Sequence, residues 1–75
     1  MEQERTYKIG EFAAMTGMAQ SKVRFYERAG LFPVHKHANG YRYYTVHDSS
    51  RANIFRVLLQ YGFTVEQAID MLNVA

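Results

Sequence analysis

The chain has 75 residues, 48% hydrophobic and 15% aromatic, with no cysteine; this is room for a single domain with a modest core, spanning residues 1–75, and too apolar for a disordered chain. Disulfides and thiolate metal sites are excluded, as is a bilayer span, and the polar Met1–Thr6 start does not read as a signal peptide, so a cytoplasmic setting is expected. The formal net charge of +2 hides a basic centre: Lys22, Arg24, Arg28, Lys36, Arg42, Arg51 and Arg56 outnumber Glu27 and Asp48 between Met18 and Arg56, while both flanks are slightly acidic. Such a distribution favours a polyanionic partner, although a solvated basic face looks the same.

Taken in chain order, Ile9, Phe12, Ala13 and Thr16 fall at helical spacing and predict a first helix from Ile9 to Thr16, with Glu11 favourable near its start and Gly17 ending it. Met18 is a plausible apolar plug in the turn. A second helix is expected from Gln20 to Ala29, stopped by Gly30. After Pro33, Val34–Ala38 and Tyr41–Thr45 flank Asn39-Gly40, a strong signal for a β-hairpin. Asp48 is the expected N-cap of a third helix reaching to about Tyr61, with Phe55, Leu58 and Leu59 as its buried stripe. Thr64 and Gln67 form a capping-box pattern for a fourth helix with Val65, Ala68, Ile69 and Leu72 on its apolar face. The fold class is therefore mainly α: a winged helix-turn-helix of four helices with a β-hairpin wing.

On the second helix, Ala19, Val23, Tyr26 and Ala29 share one side, while Ser21, Arg24, Phe25 and Arg28 share the other with Gln20 at its margin. The latter group suits a DNA major groove. Arginine forks onto guanine or phosphate, Gln and Ser bond base edges, and Phe can touch a thymine methyl. Tyr26 is expected to pack its ring inward and leave its hydroxyl for a phosphate. In the hairpin, Tyr41 and Tyr43 face one way and Arg42 and Tyr44 the other, without the sequence deciding which pair packs inward. Arg42 ranks first among wing contacts and Lys36 second. His35, His37 and His47 invite a metal reading because His35 and His37 share one strand face, but no carboxylate or cysteine lies beside that pair, so no metal is expected. No nucleophile–base pair, phosphate loop or carboxylate pair is apparent, so the reading includes neither enzyme activity nor a cofactor.

These residues together resemble the DNA-binding domain of the mercury-resistance regulator (MerR) family of bacterial transcription regulators. Tyr7-Lys8-Ile9-Gly10-Glu11-Phe12-Ala13 is similar to the family's opening, Thr16-Gly17-Met18 to its turn and Val23-Arg24-Phe25-Tyr26-Glu27 to its recognition helix. Gly30-Leu31-Phe32-Pro33, Gly40-Tyr41-Arg42-Tyr43-Tyr44, Asp48 and Gly62-Phe63-Thr64 follow in order. The resemblance implies a homodimer on a pseudo-palindromic promoter element, distortion of an over-long promoter spacer for RNA polymerase, and control by an effector. It implies contacts from Arg24, Phe25, Tyr26, Tyr41 and Arg42. Departures are Phe25 where Tyr is usual, Ala19 in place of a Ser or Thr cap, and the small Ser49 and Ala52 on the third helix, which imply looser packing there. The stretch after Leu72 does not resemble a designed end, so the sequence reads as a domain excised ahead of its dimerisation helix; a short natural member is the alternative. An architectural winged-helix protein and, less favoured, a protein-interaction module compete with the regulator reading.

Overall fold

The computed structural model describes residues 5–74; most of the polar start read over Met1–Thr6, and Ala75, lie outside them. Four helices and one hairpin follow in the expected order: α1 (Ile9–Thr16), α2 (Gln20–Ala29), β1 (His35–Lys36), β2 (Arg42–Tyr43), α3 (Val46–Gln60) and α4 (Val65–Asn73). Helix α1 buries Phe12, Ala13 and Thr16 at the spacing that one helical face requires. Helix α2 begins at Ala19, which supplies no side-chain cap, and ends where Gly30 adopts φ 100°, a left-handed conformation that glycine takes without a Cβ penalty.

One hydrophobic core, with two groups of aromatic rings in it, joins the four helices to the root of the wing. Phe12 stacks on Tyr44 at 4.7 Å and meets Phe32 edge-on at 5.3 Å. Tyr26 meets Phe55 of α3 at 4.8 Å. Val23, Leu31, Ala52, Ala68 and Ile69 close the core around them. Ala52 is fully enclosed, and the Ser49 hydroxyl donates to the Val46 carbonyl.

Three expectations need correction. The strands are shorter than expected, with His35 paired to Tyr43 and Lys36 to Arg42. In the turn that joins them, Gly40 takes positive φ, at 88°, and its N–H donates to the His37 carbonyl at 2.9 Å. The loop thus spans three residues, a turn followed by a glycine bulge, which takes up backbone that longer strands would have used. Asp48 is not the N-cap of α3. Thr45 is, accepting from the Asp48 N–H, while the Asp48 carboxylate accepts from the Thr45 N–H at 2.9 Å. The reciprocal pair satisfies two helix-end donors where a lone Asp cap would satisfy one. On α2, Ala19 and Ala29 stay exposed, and the inward face is completed by Glu27, which the periodicity of apolar residues alone does not reveal.

Pairing at the chain's start is also absent from the sequence reading. Tyr7 and Tyr44 exchange two backbone hydrogen bonds of 2.8 Å, so the segment before α1 clamps the root of the wing.

Candidate nucleic-acid interface

The exposed side of α2 carries Gln20, Ser21, Arg24, Phe25 and Arg28, as its helical spacing requires. Phe25 is half exposed despite being a large aromatic, and Lys22, one turn before it, holds its ammonium 5.6 Å from the ring centre. An apolar ring kept in solvent between cations is suited to a partner with both methyl groups and phosphates. Tyr26 lies half buried against Phe55, so its ring serves the core first.

The hairpin stands beside this face, and its two sides are now distinct. Tyr44 is wholly buried, which puts Arg42 on the side that meets the helices. Tyr43 lies on the other side, where His35 and His37 stack roughly parallel to its ring at 5.1 and 4.4 Å. Tyr41, at the tip, is the most exposed residue of the wing tyrosines at 73%. Lys36 pairs with Arg42 across the hairpin and is exposed. A groove of about 800 Å³ runs between the wing and the helices, and Lys8, Arg24, Tyr41 and Arg42 line it. Three cations thus share one concave strip with a single carboxylate, that of Glu11.

The carboxylate of Glu27 underlies that strip. Its Oε1 accepts from the Tyr44 hydroxyl at 3.0 Å and from Arg42 Nη1 at 3.2 Å. Burial, followed by the hydrogen bond to Glu27 and that carboxylate's charge, pushes the Tyr44 phenol up to about 12, against a smaller opposing pull from Arg42 and Arg24. Sequence reasoning missed Glu27 as part of the site. The available signal was a charged residue one helical turn after the core residue Val23.

Two arginines counted in the basic centre are used internally. Arg51 donates to the carbonyls of Leu31 and Leu72 and to Asn73, and Arg56 donates to the Thr16 carbonyl at the end of α1. His35 Nε2 approaches Asp48 Oδ2 to 3.3 Å without the alignment of a hydrogen bond. Among the described residues no group of three or more His, Cys, Asp or Glu is placed to hold a metal ion, and no helix is long and apolar enough to cross a membrane.

A helix-turn-helix with an open, basic second helix and an adjoining basic hairpin defines the class: a winged helix-turn-helix DNA-binding domain. Within that class, the chain belongs to the MerR family; the family model described as MerR HTH family regulatory protein matches residues 7–74. The HTH-type transcriptional regulator CueR of Escherichia coli O6:H1 is 35% identical over 66 residues, covering 87% of this chain and 49% of the relative. The mercuric resistance operon regulatory protein of Bacillus cereus is 32% identical over 69 residues, covering 91% and 52%. A solved MerR-family regulator lacking the sensor domain, HiNmlR bound to promoter DNA, superposes with a TM-score of 0.81 at 25% identity, covering 89% of this chain and 54% of that one. The chain spans about half the length of the curated relatives it matches. The described residues are thus a MerR-family helix-turn-helix DNA-binding domain.

Proposed function

We propose that this domain binds a promoter element with the exposed face of α2 in the major groove and the hairpin along the flanking backbone. The observation that carries the reading is the shared groove in which Arg24 of α2 faces Tyr41 and Arg42 of the wing. Gln20, Ser21 and Arg24 are the base-reading candidates and Phe25 offers an apolar edge for a thymine methyl. Arg28, Lys36, Tyr41, Arg42 and the Tyr26 hydroxyl serve the backbone. A structural neighbour lacking the sensor domain is bound to promoter DNA, and this chain matches 54% of it, which supports a DNA-binding role for this part. In the whole regulator, two such domains on a two-fold site would untwist the promoter for RNA polymerase when an effector is sensed elsewhere in the protein. Neither a cofactor nor catalysis enters this reading.

Two substitutions test it. Arg24→Ala should weaken binding to an operator enriched by this chain from random duplexes by about 1–3 kcal/mol, and binding to random DNA far less. Equal losses on both would make Arg24 a backbone contact. Arg42→Ala should lower affinity for every sequence and reduce the salt dependence by about one phosphate contact. An unchanged slope would remove the wing from the interface.

A further inference from the structure

Glu27 is a carboxylate for which the DNA-binding reading has no use. It lies 5% exposed on the inward side of α2, where an apolar residue of similar size would serve stability at least as well. Both of its partners come from the wing: the Tyr44 hydroxyl and Arg42 Nη1 donate to the same oxygen, Oε1. Tyr44 is fixed in the core by stacking on Phe12, so the carboxylate rests on a rigid frame. Arg42 is different. Its side chain remains 43% exposed, with one nitrogen on Glu27 and the side chain lining the groove that also holds Arg24.

We propose that Glu27 is a positioning residue that fixes the Arg42 guanidinium for a DNA phosphate and locks the wing to the recognition helix in one pose. The proposal rests on the DNA-binding reading above. An arginine has many rotamers, and immobilising it on a phosphate costs affinity unless it is already held. Glu27 moves that cost from binding to folding. Its charge acts in the opposite direction, because a carboxylate near phosphates repels them. On charge alone, Glu27→Gln would therefore tighten binding; loss of positioning would weaken it. The sign of the change separates the two.

The test uses the 75-residue chain and a duplex that it enriches from a randomised pool, with affinity read by fluorescence anisotropy. Glu27→Gln, whose amide oxygen still accepts from Tyr44, should bind about three- to tenfold more weakly. That loss should vanish in an Arg42→Ala background, since Glu27 acts through Arg42. Tyr44→Phe removes the donor that steadies the carboxylate and should lower the melting temperature while weakening binding less than Glu27→Gln does. Unchanged or tighter binding by Glu27→Gln, or an equal loss with and without Arg42, would overturn the positioning role. If Glu27→Gln melts below the assay temperature, Glu27→Asp, which withdraws the carboxylate by one methylene, carries the same expectation and the same contrary outcomes. Failure of the wild-type chain to enrich any duplex, alone or with a dimerising coiled coil fused after its last residue, would instead reject the DNA-binding reading, and the positioning role with it.

Discussion

Tyr44 shows how one side chain serves both stability and the placement of the site. Its ring stacks on Phe12 in the core, its backbone pairs with Tyr7, and its hydroxyl donates to the buried Glu27 carboxylate. The donor is lost if the phenol ionises, and two negative charges would then face each other. The phenol is held up at about 12 in the folded chain against about 10 unfolded, so the folded state favours the neutral form. Its contribution is complete below pH about 10 and is lost as pH rises toward about 12, a change on the order of 2 kcal/mol. Unfolding of wild type and Tyr44→Phe compared across pH 9 to about 12 should show the variant less stable at neutral pH and the gap closing at the alkaline end. A gap constant with pH would mean that the phenol does not titrate in the folded chain as its surroundings require. The comparison is a difference between two chains, so the other tyrosines and the lysines cancel.

Among the elements, α3 is the beam to which the others are tied. Its start is closed by the Thr45–Asp48 box, and Arg56 near its end satisfies the last turn of α1. Between these, Arg51 spans from the Leu31 carbonyl, just after α2, to Leu72 and Asn73 at the end of α4. Asn73 in turn donates to the Gly30 carbonyl, so the exit of α2 and the end of α4 share one polar knot. A planar guanidinium reaches three acceptors at once, whereas an ammonium on a flexible stem does not. Arg51→Lys should therefore cost about 2–3 kcal/mol, visible as a lower urea midpoint at unchanged m-value, even though charge is preserved. DNA affinity of the folded variant should stay close to wild type. A variant with normal stability and weakened DNA binding would place Arg51 in the interface instead.

At the scale of the whole molecule, the internal use of Arg51 and Arg56 sharpens the charge pattern. The cations left free for a partner are concentrated on α2 and the wing, beside the groove that both share. One such surface fits one half-site. A two-fold operator presents two, about 34–36 Å apart along the helix axis when separated by one turn. The described residues include no long heptad-bearing helix, and α4 has only 9 residues. The 75-residue chain should accordingly sediment as a monomer at micromolar concentration and bind its operator weakly. Fusing an antiparallel dimerising coiled coil after its last residue should raise affinity by about two or more orders of magnitude, because the second contact becomes intramolecular. A stable dimer of the isolated chain would show that the described residues hold an interface of their own.

Helix positions and the presence of a wing were legible in the sequence because they are set locally. Apolar spacing in α1, the glycines after α1 and α2, and the Thr64–Gln67 box in α4 each act within a few residues. The exposed α2 face was legible for the same reason: residues a helical turn apart share a side wherever the helix is placed. What lay beyond reach was every choice made by partners distant in sequence. Which side of the wing turns inward was decided by Tyr44 entering a core built from Phe12 and Phe32. The conversion of Arg51 and Arg56 from surface charges to internal ties depended on carbonyls left open at the ends of other elements. Glu27 is the sharpest case. Its composition says surface and its helical position says core, and only a hydroxyl and a guanidinium supplied from the wing make that burial tolerable. Local chain geometry wrote the elements; the need to satisfy buried polar groups across the fold decided how the site was assembled.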